Sequence, residues 1–307
     1  MNKILFSIII PVRLENDYLQ ETRQKLLLQT NNNFELIVIT DKISKTANPC
    51  IKRNLGAKMA KGQYLCFLDD DSYPNQDWLE NISKQIKEHP NYAAFCGPAL
   101  TPPTNNILQK ASGYLWSSIM GSGGAGLYRS QISKPRFVDD YPTVNFIVKK
   151  SVFDQIGGFN PKYWPGEDTI FCLDLINSKH QIYYHPSIVV YHHRREILKE
   201  HLAQTNRYAM HRGHFARIFP QNSLKIGYLI PSLFFIYFIS IPLHRFLLPL
   251  YLYLLLLGLT FIDIFFKSKN IFVAILSVLT IFLTHITYGY LFIIGYFSRD
   301  LKFKPRS

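Results

Sequence analysis

Three apolar runs near the end of the chain, Ile226–Leu243, Phe246–Phe266 and Ile271–Phe297, restrict its architecture more than any other feature. The first holds no charged residue and the second only Asp263. Each reaches the ~20 residues that cross a hydrocarbon core at a 1.5 Å rise per residue. The alternative is a buried helix pair in a soluble domain, but three successive runs with aromatic edges argue against it. Pro231, Pro242 and Pro249 make the first hairpin irregular, which leaves one half open to a re-entrant or interfacial course. With the front domain cytoplasmic, the Lys267-Ser268-Lys269 turn is cytoplasmic too, as the positive-inside rule requires. Three crossings would then put the basic tail, residues 298–307, outside, against that rule; two crossings and one interfacial segment would not. The sequence leaves both open.

The chain carries 34 Lys+Arg against 21 Asp+Glu, and 48% of it is hydrophobic, which excludes disorder, collagen and a disulfide-rich scaffold. Before the apolar runs, Tyr191–Lys225 holds seven Lys/Arg, five histidines and only two acids, Glu196 and Glu200. A basic stretch beside a membrane anchor is drawn to anionic head groups. No nucleic-acid motif accompanies it, so a bilayer and not a nucleic acid is the expected partner. Cys50, Cys66, Cys96 and Cys172 form no C-x-x-C pair, and three lie in apolar strand-like runs; they read as small hydrophobes in a reducing compartment, without zinc. Met1-Asn2-Lys3 and the run Ile4–Val12 imitate a signal peptide. Arg13, Glu15 and Asp17 follow at once, however, and no cleavage site appears, so a buried first strand is expected.

Strand and helix alternate through the front part. Strands are expected at Ile4–Val12, Phe34–Thr40, Gln63–Leu68 and Tyr92–Leu100, and helices at Leu19–Gln29, Ile51–Ala60 and Asn75–Glu88. This order predicts an α/β, doubly wound sheet flanked by helices, with its ligand beyond the carboxyl ends of the strands. Asp41 and Asp69-Asp70-Asp71 sit at such ends. Residues 101–135 lose the alternation, and shorter strand signals return at Thr143–Lys149, Gln181–His185 and Ile188–Tyr191.

Three adjacent carboxylates at the tip of a buried strand repel one another and call for a cation. Hard oxygen ligands suit Mg²⁺ or Mn²⁺. Glu167-Asp168 opens an amphipathic helix, where carboxylates commonly serve only as caps, and Asp139-Asp140 competes for any catalytic role. His192-His193-Arg194-Arg195 ends a strand, where it offers a metal ligand and a phosphate clamp. Gly121–Gly126 spells G-x-G-x-x-G, yet no long helix pattern follows and no acid stands about 20 positions on. It reads as a mobile loop over a substrate, not as a dinucleotide site.

In combination these segments say more. Ser7-Ile-Ile-Ile-Pro11-Val12, Arg53-Asn54-x-Gly56-Ala57, Gly62-x-Tyr64-Leu65-x-Phe67-Leu68-Asp69-Asp70-Asp71, Gly157-Gly158-Phe159 and Gly166-Glu167-Asp168 occur in one order. Over residues 4–195 they resemble the family 2 glycosyltransferases, whose catalytic domain has the GT-A fold. The resemblance implies a GT-A type mixed sheet followed by a transmembrane helical region. It implies a hexosyltransferase that uses Mg²⁺ or Mn²⁺ and a nucleotide-diphosphate sugar donor. It assigns the metal to Asp71 with Asp69, to which His193 is added, and the donor to Pro11, Val12, Arg13, Asp41, Arg53, Asp69 and Asp70. Asp168 becomes the catalytic base with Glu167 beside it. Gln204-Thr205-Asn206-Arg207-Tyr208 resembles the Q-x-x-R-W motif of membrane polysaccharide synthases, which implies acceptor or diphosphate contacts for Gln204, Arg207 and Tyr208.

The expected organisation is a catalytic domain at 1–200 (donor half 1–100, acceptor half 101–200), a basic amphipathic segment at 201–225, two or three transmembrane helices at 226–297 and the tail. The expected function is inverting transfer at the cytoplasmic face of the inner membrane, onto a polyprenyl-linked or other membrane-associated glycan. A catalytically silent, membrane-tethered nucleotide or sugar binder is the alternative. A transport subunit fits less well, because the tail has almost no intramembrane charge beyond Asp263 and His285.

Overall fold

The computed structural model describes residues 5–301, in two compact units: 5–100 with 132–192, and 101–131 with 193–301. Ile4 of the expected first strand and most of the basic tail lie outside the described residues.

The first unit runs β1 (Phe6–Pro11), α1 (Asp17–Leu27), β2 (Phe34–Ile39), α2 (Asp41–Ser44), α3 (Pro49–Met59), β3 (Tyr64–Phe67), β4 (Ser72–Pro74), α4 (Trp78–Glu88), β5 (Ala94–Cys96) and β6 (Ala99–Leu100). In the second unit the chain forms α5 (Ile107–Ser117), α6 (Ile119–Ser122) and α7 (Gly126–Arg129). It returns to the first as β7 (Arg136–Val138), β8 (Phe146–Lys149), α8 (Lys150–Ile156), α9 (Glu167–Asn177), β9 (Ile182–Tyr184) and β10 (Val190–His192). The second unit is completed by α10 (Lys199–Ile218), α11 (Pro220–Ser223), α12 (Ile226–His244), α13 (Leu248–Ser268) and α14 (Ile271–Phe297).

Seven strands of the first unit form one mixed sheet in the order β2-β1-β3-β8-β5-β9-β7. β1 pairs parallel with β2 and β3, while β8 lies antiparallel between β3 and β5. Every residue of β1 and β3 is buried, as a run of Ile, Phe and Leu covered on both faces must be. The expected fourth strand is two, because Gly97-Pro98 interrupts it; β6 joins a three-stranded sheet, β4-β10-β6. Under the sheet Phe67, Phe153, Phe159 and Phe171 pack with ring centroids as close as 4.7 Å. Burying each contributes about 1.5–3 kcal/mol and fixes the end of α9.

In the second unit Ala111 and Leu115 of α5 share one core with Tyr253, Leu257 and Ile264 of α13 and Val273, Ala274 and Ile281 of α14. Residues 101–131, expected in the acceptor half, thus share a compact unit with the apolar helices. The glycine segment is not an open loop: Ser118 Oγ accepts from Gly121 N at 2.9 Å and Ser122 Oγ from Gly126 N at 3.0 Å, winding it into α6 and α7. The signal for α5 was present in Ile107, Ala111 and Leu115 at helical spacing, capped by Asn106 and Gln109. The helices α12, α13 and α14, of 19, 21 and 27 residues, are each long and apolar enough to cross a membrane.

Candidate active site

The carboxyl end of β3 opens into Asp69-Asp70-Asp71, and a tight turn follows in which Ser72 N and Oγ both donate to the Asp69 carbonyl. β4 leaves that turn and pairs antiparallel with β10, which sets His192 opposite Ser72. His192 Nε2 thereby lies 3.1 Å from Asp71 Oδ1. One ligand atom each from Asp69, Asp71 and His192 falls within 4.8 Å of the others, the one such His/Cys/Asp/Glu group among the described residues. Two hard oxygens and an imidazole nitrogen fit a divalent cation of the Mg²⁺ or Mn²⁺ kind. Asp70 turns aside and accepts from Asn16 Nδ2 at 3.1 Å. Burial, then repulsion from Asp71 and Asp69, pushes its carboxyl up to about 6, a measure of how crowded with negative charge this turn is.

Three consecutive residues of α3 hold the loops around this turn. Lys52 is only 2% exposed; its Nζ donates to the Val12 carbonyl at 2.8 Å and forms an ion pair with Asp41. Arg53, 5% exposed, forks between Asp69 Oδ1 at 2.7 Å and Glu167 Oε1 at 2.8 Å. Burial alone would lower the Arg53 pKa; the charges of Asp69 and Glu167 outweigh it and raise the pKa above the ordinary guanidinium value. Asn54 exchanges two hydrogen bonds with the backbone of Phe159, at 2.7 and 2.9 Å. α3 thus ties the strand-one loop, the Asp turn and the segment leading into α9 to one another.

At the start of α9 the two acids differ. Glu167 is buried, with Oε1 on Arg53 and Oε2 accepting from Gly166 N at 3.0 Å. Asp168 is half-buried, and its Oδ1 accepts from Thr169 N at 2.8 Å. The competing acid Asp140 is buried and accepts from Thr169 Oγ1 at 3.2 Å, which puts it behind the first turn of α9. Cys50, in the same neighbourhood, has its thiol pushed up to about 12 by burial and by the Glu167 charge, and all four cysteines are free and buried.

Pro11, Val12 and Arg13 lie at the carboxyl end of β1. Asp41 N donates to the Arg13 carbonyl at 3.2 Å, and Arg13 Nε stands 3.8 Å from Asp41 Oδ2. Ten of the sequence-derived positions, Pro11, Val12, Arg13, Asp41, Arg53, Asp69, Asp70, Asp71, Glu167 and Asp168, are thus joined within the first unit, together with His192. His193, Gln204, Arg207 and Tyr208 belong to the second. The expected ligand His193 has its Nδ1 2.8 Å from Asn105 Nδ2. Adjacent residues leaving a strand point to opposite sides, so His192 and not His193 joins the aspartates. Gln204 Nε2 donates to the Tyr208 hydroxyl at 2.9 Å, one turn along α10. Lys52 escaped the sequence reading, since a lysine inside a helix pattern normally marks the solvent face.

Comparison with known proteins gives the chain's relatives. The family model for glycosyl transferase family group 2 matches residues 64–294. The dolichyl N-acetyl-alpha-D-glucosaminyl phosphate 3-beta-D-2,3-diacetamido-2,3-dideoxy-beta-D-glucuronosyltransferase of Methanococcus voltae is 24% identical over 267 residues, 86% of this chain and 80% of that one. The pre-mycofactocin glycosyltransferase of Mycobacterium tuberculosis is 24% identical over 160 residues, 51% of this chain and 32% of its own. Among solved structures, residues 1–349 of S. aureus TarS align with a TM-score of 0.44 and 16% identity, over 68% of this chain and 65% of that one.

Proposed function

From the premise that the chain belongs to glycosyl transferase family group 2, we propose that it is a membrane-anchored, metal-dependent, inverting enzyme. It moves a sugar from a nucleotide-diphosphate donor to a hydroxyl of a lipid-linked or surface-glycan acceptor, at the cytoplasmic face of the inner membrane. The observation that carries this reading is the Arg53 fork, which holds the Asp turn and the Glu167-Asp168 pair to one guanidinium. Donor-side and acceptor-side carboxylates are thereby kept in one site.

Asp69, Asp71 and His192 would hold Mg²⁺ or Mn²⁺, which supplies Lewis-acid neutralisation of the departing nucleoside diphosphate. Pro11, Val12, Arg13 and Asp41 line the base end of the donor, with Lys52 fixing the Val12 carbonyl and the Asp41 carboxylate. Glu167 is buried with its oxygens on Arg53 and Gly166 N, and the half-buried Asp168 next to it takes the proton from the acceptor hydroxyl as that oxygen attacks the anomeric carbon. α12 and α13 carry the unit to a membrane, where a polyprenyl-linked acceptor resides. The dolichyl phosphate in the name of the Methanococcus relative supports an acceptor of that class.

The test is a panel of nucleotide sugars with and without Mn²⁺, read as thermal stabilisation and as release of nucleoside diphosphate by the detergent-purified chain. One donor should stabilise the protein only with the metal, and Asp71→Ala should lose that response. Stabilisation without any transfer or hydrolysis would favour a silent binder, and no response to any donor would overturn the proposal.

A further inference from the structure

His192 reaches Asp71 from a ladder too short to define its own register. β4 and β10 have three residues each, paired Val190 with Pro74, Tyr191 with Tyr73 and His192 with Ser72. A slip of one residue would turn His192 to the other face and set a neighbouring residue opposite Ser72. The Tyr73 and Tyr191 rings stack with centroids 5.2 Å apart, which favours the observed pairing by only about 0.5–1.5 kcal/mol. Each strand is therefore placed from outside the ladder.

β4 is held on one side. Ser72 returns to the Asp69 carbonyl, and the buried Thr22 Oγ1 of α1 donates to the Ser72 carbonyl at 2.6 Å. β10 is held by Asn145, which directly precedes β8 and is fully buried. Its Nδ2 donates to the Ile188 carbonyl at 2.7 Å and to the Gly97 carbonyl at 2.8 Å, and lies 3.3 Å from the Pro98 carbonyl. Gly97 and Pro98 lead from β5 into β6, and Ile188 leads from β9 into β10. One amide thus holds both passages from the large sheet to the small one. The passages touch, since a Cβ on Gly97 would run into the Ile188 carbonyl. Val190 N, at the first residue of β10, donates to the same Pro98 carbonyl at 3.0 Å.

The amide is itself oriented. Trp78 Nε1, from the fully buried indole on α4, donates to Asn145 Oδ1 at 3.1 Å and so turns the NH₂ end toward the carbonyls. Carbonyl oxygens aimed at one buried point need a donor between them, and leaving one unpaired costs about 1–3 kcal/mol. His192 stands four positions after Ile188. A slip of one residue would displace the Ile188 carbonyl by about 3.3 Å, further than a hydrogen bond survives.

We propose that Asn145 is a positioning residue for the divalent cation: by fixing where β10 starts, it selects His192 as the ligand that completes Asp69 and Asp71. The inference rests on the metal reading of the preceding subsection and adds the residue that makes the third ligand available. Aspartate would not serve at this position, because a carboxylate offers the carbonyls further acceptors and no donor.

The probe is Mn²⁺ alone, added to the full detergent-purified chain and followed by calorimetry and by pulsed electron paramagnetic resonance, where an imidazole ligand gives nitrogen coupling. The unmodified chain should bind Mn²⁺ with that coupling. Asn145→Ala should weaken binding about 10–100-fold, the range for residues that orient a metal ligand, and lose the coupling. Joined to His192→Ala, it should weaken binding no further than His192→Ala does alone, because it acts only through the histidine. Coupling and affinity retained in Asn145→Ala, with only thermal stability reduced, would overturn the inference; so would losses that multiply in the double variant. Trp78→Phe keeps an aromatic ring and removes the donor that orients the amide. It should give a smaller loss of Mn²⁺ affinity in the same direction, and unchanged binding would overturn the inference even if Asn145→Ala failed to fold. Mn²⁺ bound by the unmodified chain without nitrogen coupling would remove His192 and this inference while leaving the aspartates. No Mn²⁺ binding at all would sink the metal reading together with it.

Discussion

The two units bury their polar groups by opposite means. In the first, the buried polar side chains include full charges: Lys52 and Arg53 are held against Asp41, Asp69 and Glu167. In the second, they are neutral: the amides of Asn105 and Asn222, imidazoles, and hydroxyls that bond mostly to backbone carbonyls, as Ser277, Ser232 and Thr280 do. A unit that must present carboxylates to a charged donor has to compensate them internally, because a lone buried charge is far more costly than a pair. The second unit, whose three long helices are apolar enough to cross a membrane, uses neutral groups and close backbone packing instead. Charge loss should therefore disable the first unit chemically, and volume change should loosen the second mechanically.

The largest effect that sharpens this contrast is expected from Asp168→Asn. Turnover should fall ~10²–10⁴-fold, the range for losing a general base, while nucleoside diphosphate affinity measured by calorimetry stays within about threefold. Full activity in this variant would remove Asp168 from the chemistry. Next comes Arg53→Lys, which keeps the charge but reaches one carboxylate instead of two. Turnover at saturating donor should drop about 10²-fold, as for small misplacements of reacting groups, with the donor KM little changed. A raised KM at constant kcat would show that Arg53 touches the donor, the role that the family resemblance implied.

That contrast also governs what the sequence disclosed. Charge leaves a strong trace when it sits at the end of a buried apolar strand, so Asp69-Asp70-Asp71 and the alternation of the first unit were legible from residue types alone. The apolar helices were legible from length. Pairing across the small sheet was not, because β4 and β10 have three residues each and their register decides which of two adjacent histidines meets Asp71. Lys52 was invisible for a related reason: a lysine is assigned to solvent unless its partners, here 11 and 40 positions away in Asp41 and Val12, are known. In residues 101–131 the Gly and Pro signals masked a short helical period that only the core of α13 and α14 makes worth forming.

A mechanical perturbation of the second unit should leave the first intact. Gly213→Leu forces α10 off α14 and should destabilise the second unit by about 1–3 kcal/mol, the range for overpacked cores. Hydrogen exchange should rise in α10 and α14 and stay unchanged in β1 and β3; equal loosening of both units would refute their independence.

The smallest expected effect is a pH dependence that belongs to the second unit. His201 is fully buried on α10, with Ser112 Oγ 3.3 Å from its Nδ1 and the Trp116 ring against it, both from α5. Burial pushes its pKa down from 6.5 to about 4, and His211 follows the same direction, to about 3, by burial and by the neighbouring His214, Arg207 and Arg212. A histidine whose folded pKa is depressed stabilises the fold above pH 6.5, and this contribution is lost as pH falls toward the folded value, because the unfolded chain takes up the proton first. Exchange protection of α10 should therefore weaken between pH 6.5 and 4, and His201→Gln, neutral throughout, should flatten that decline while the first unit's pH response stays as before. A decline of the same slope in His201→Gln would place the titrating group elsewhere and leave the neutral character of this helix pair without its expected consequence.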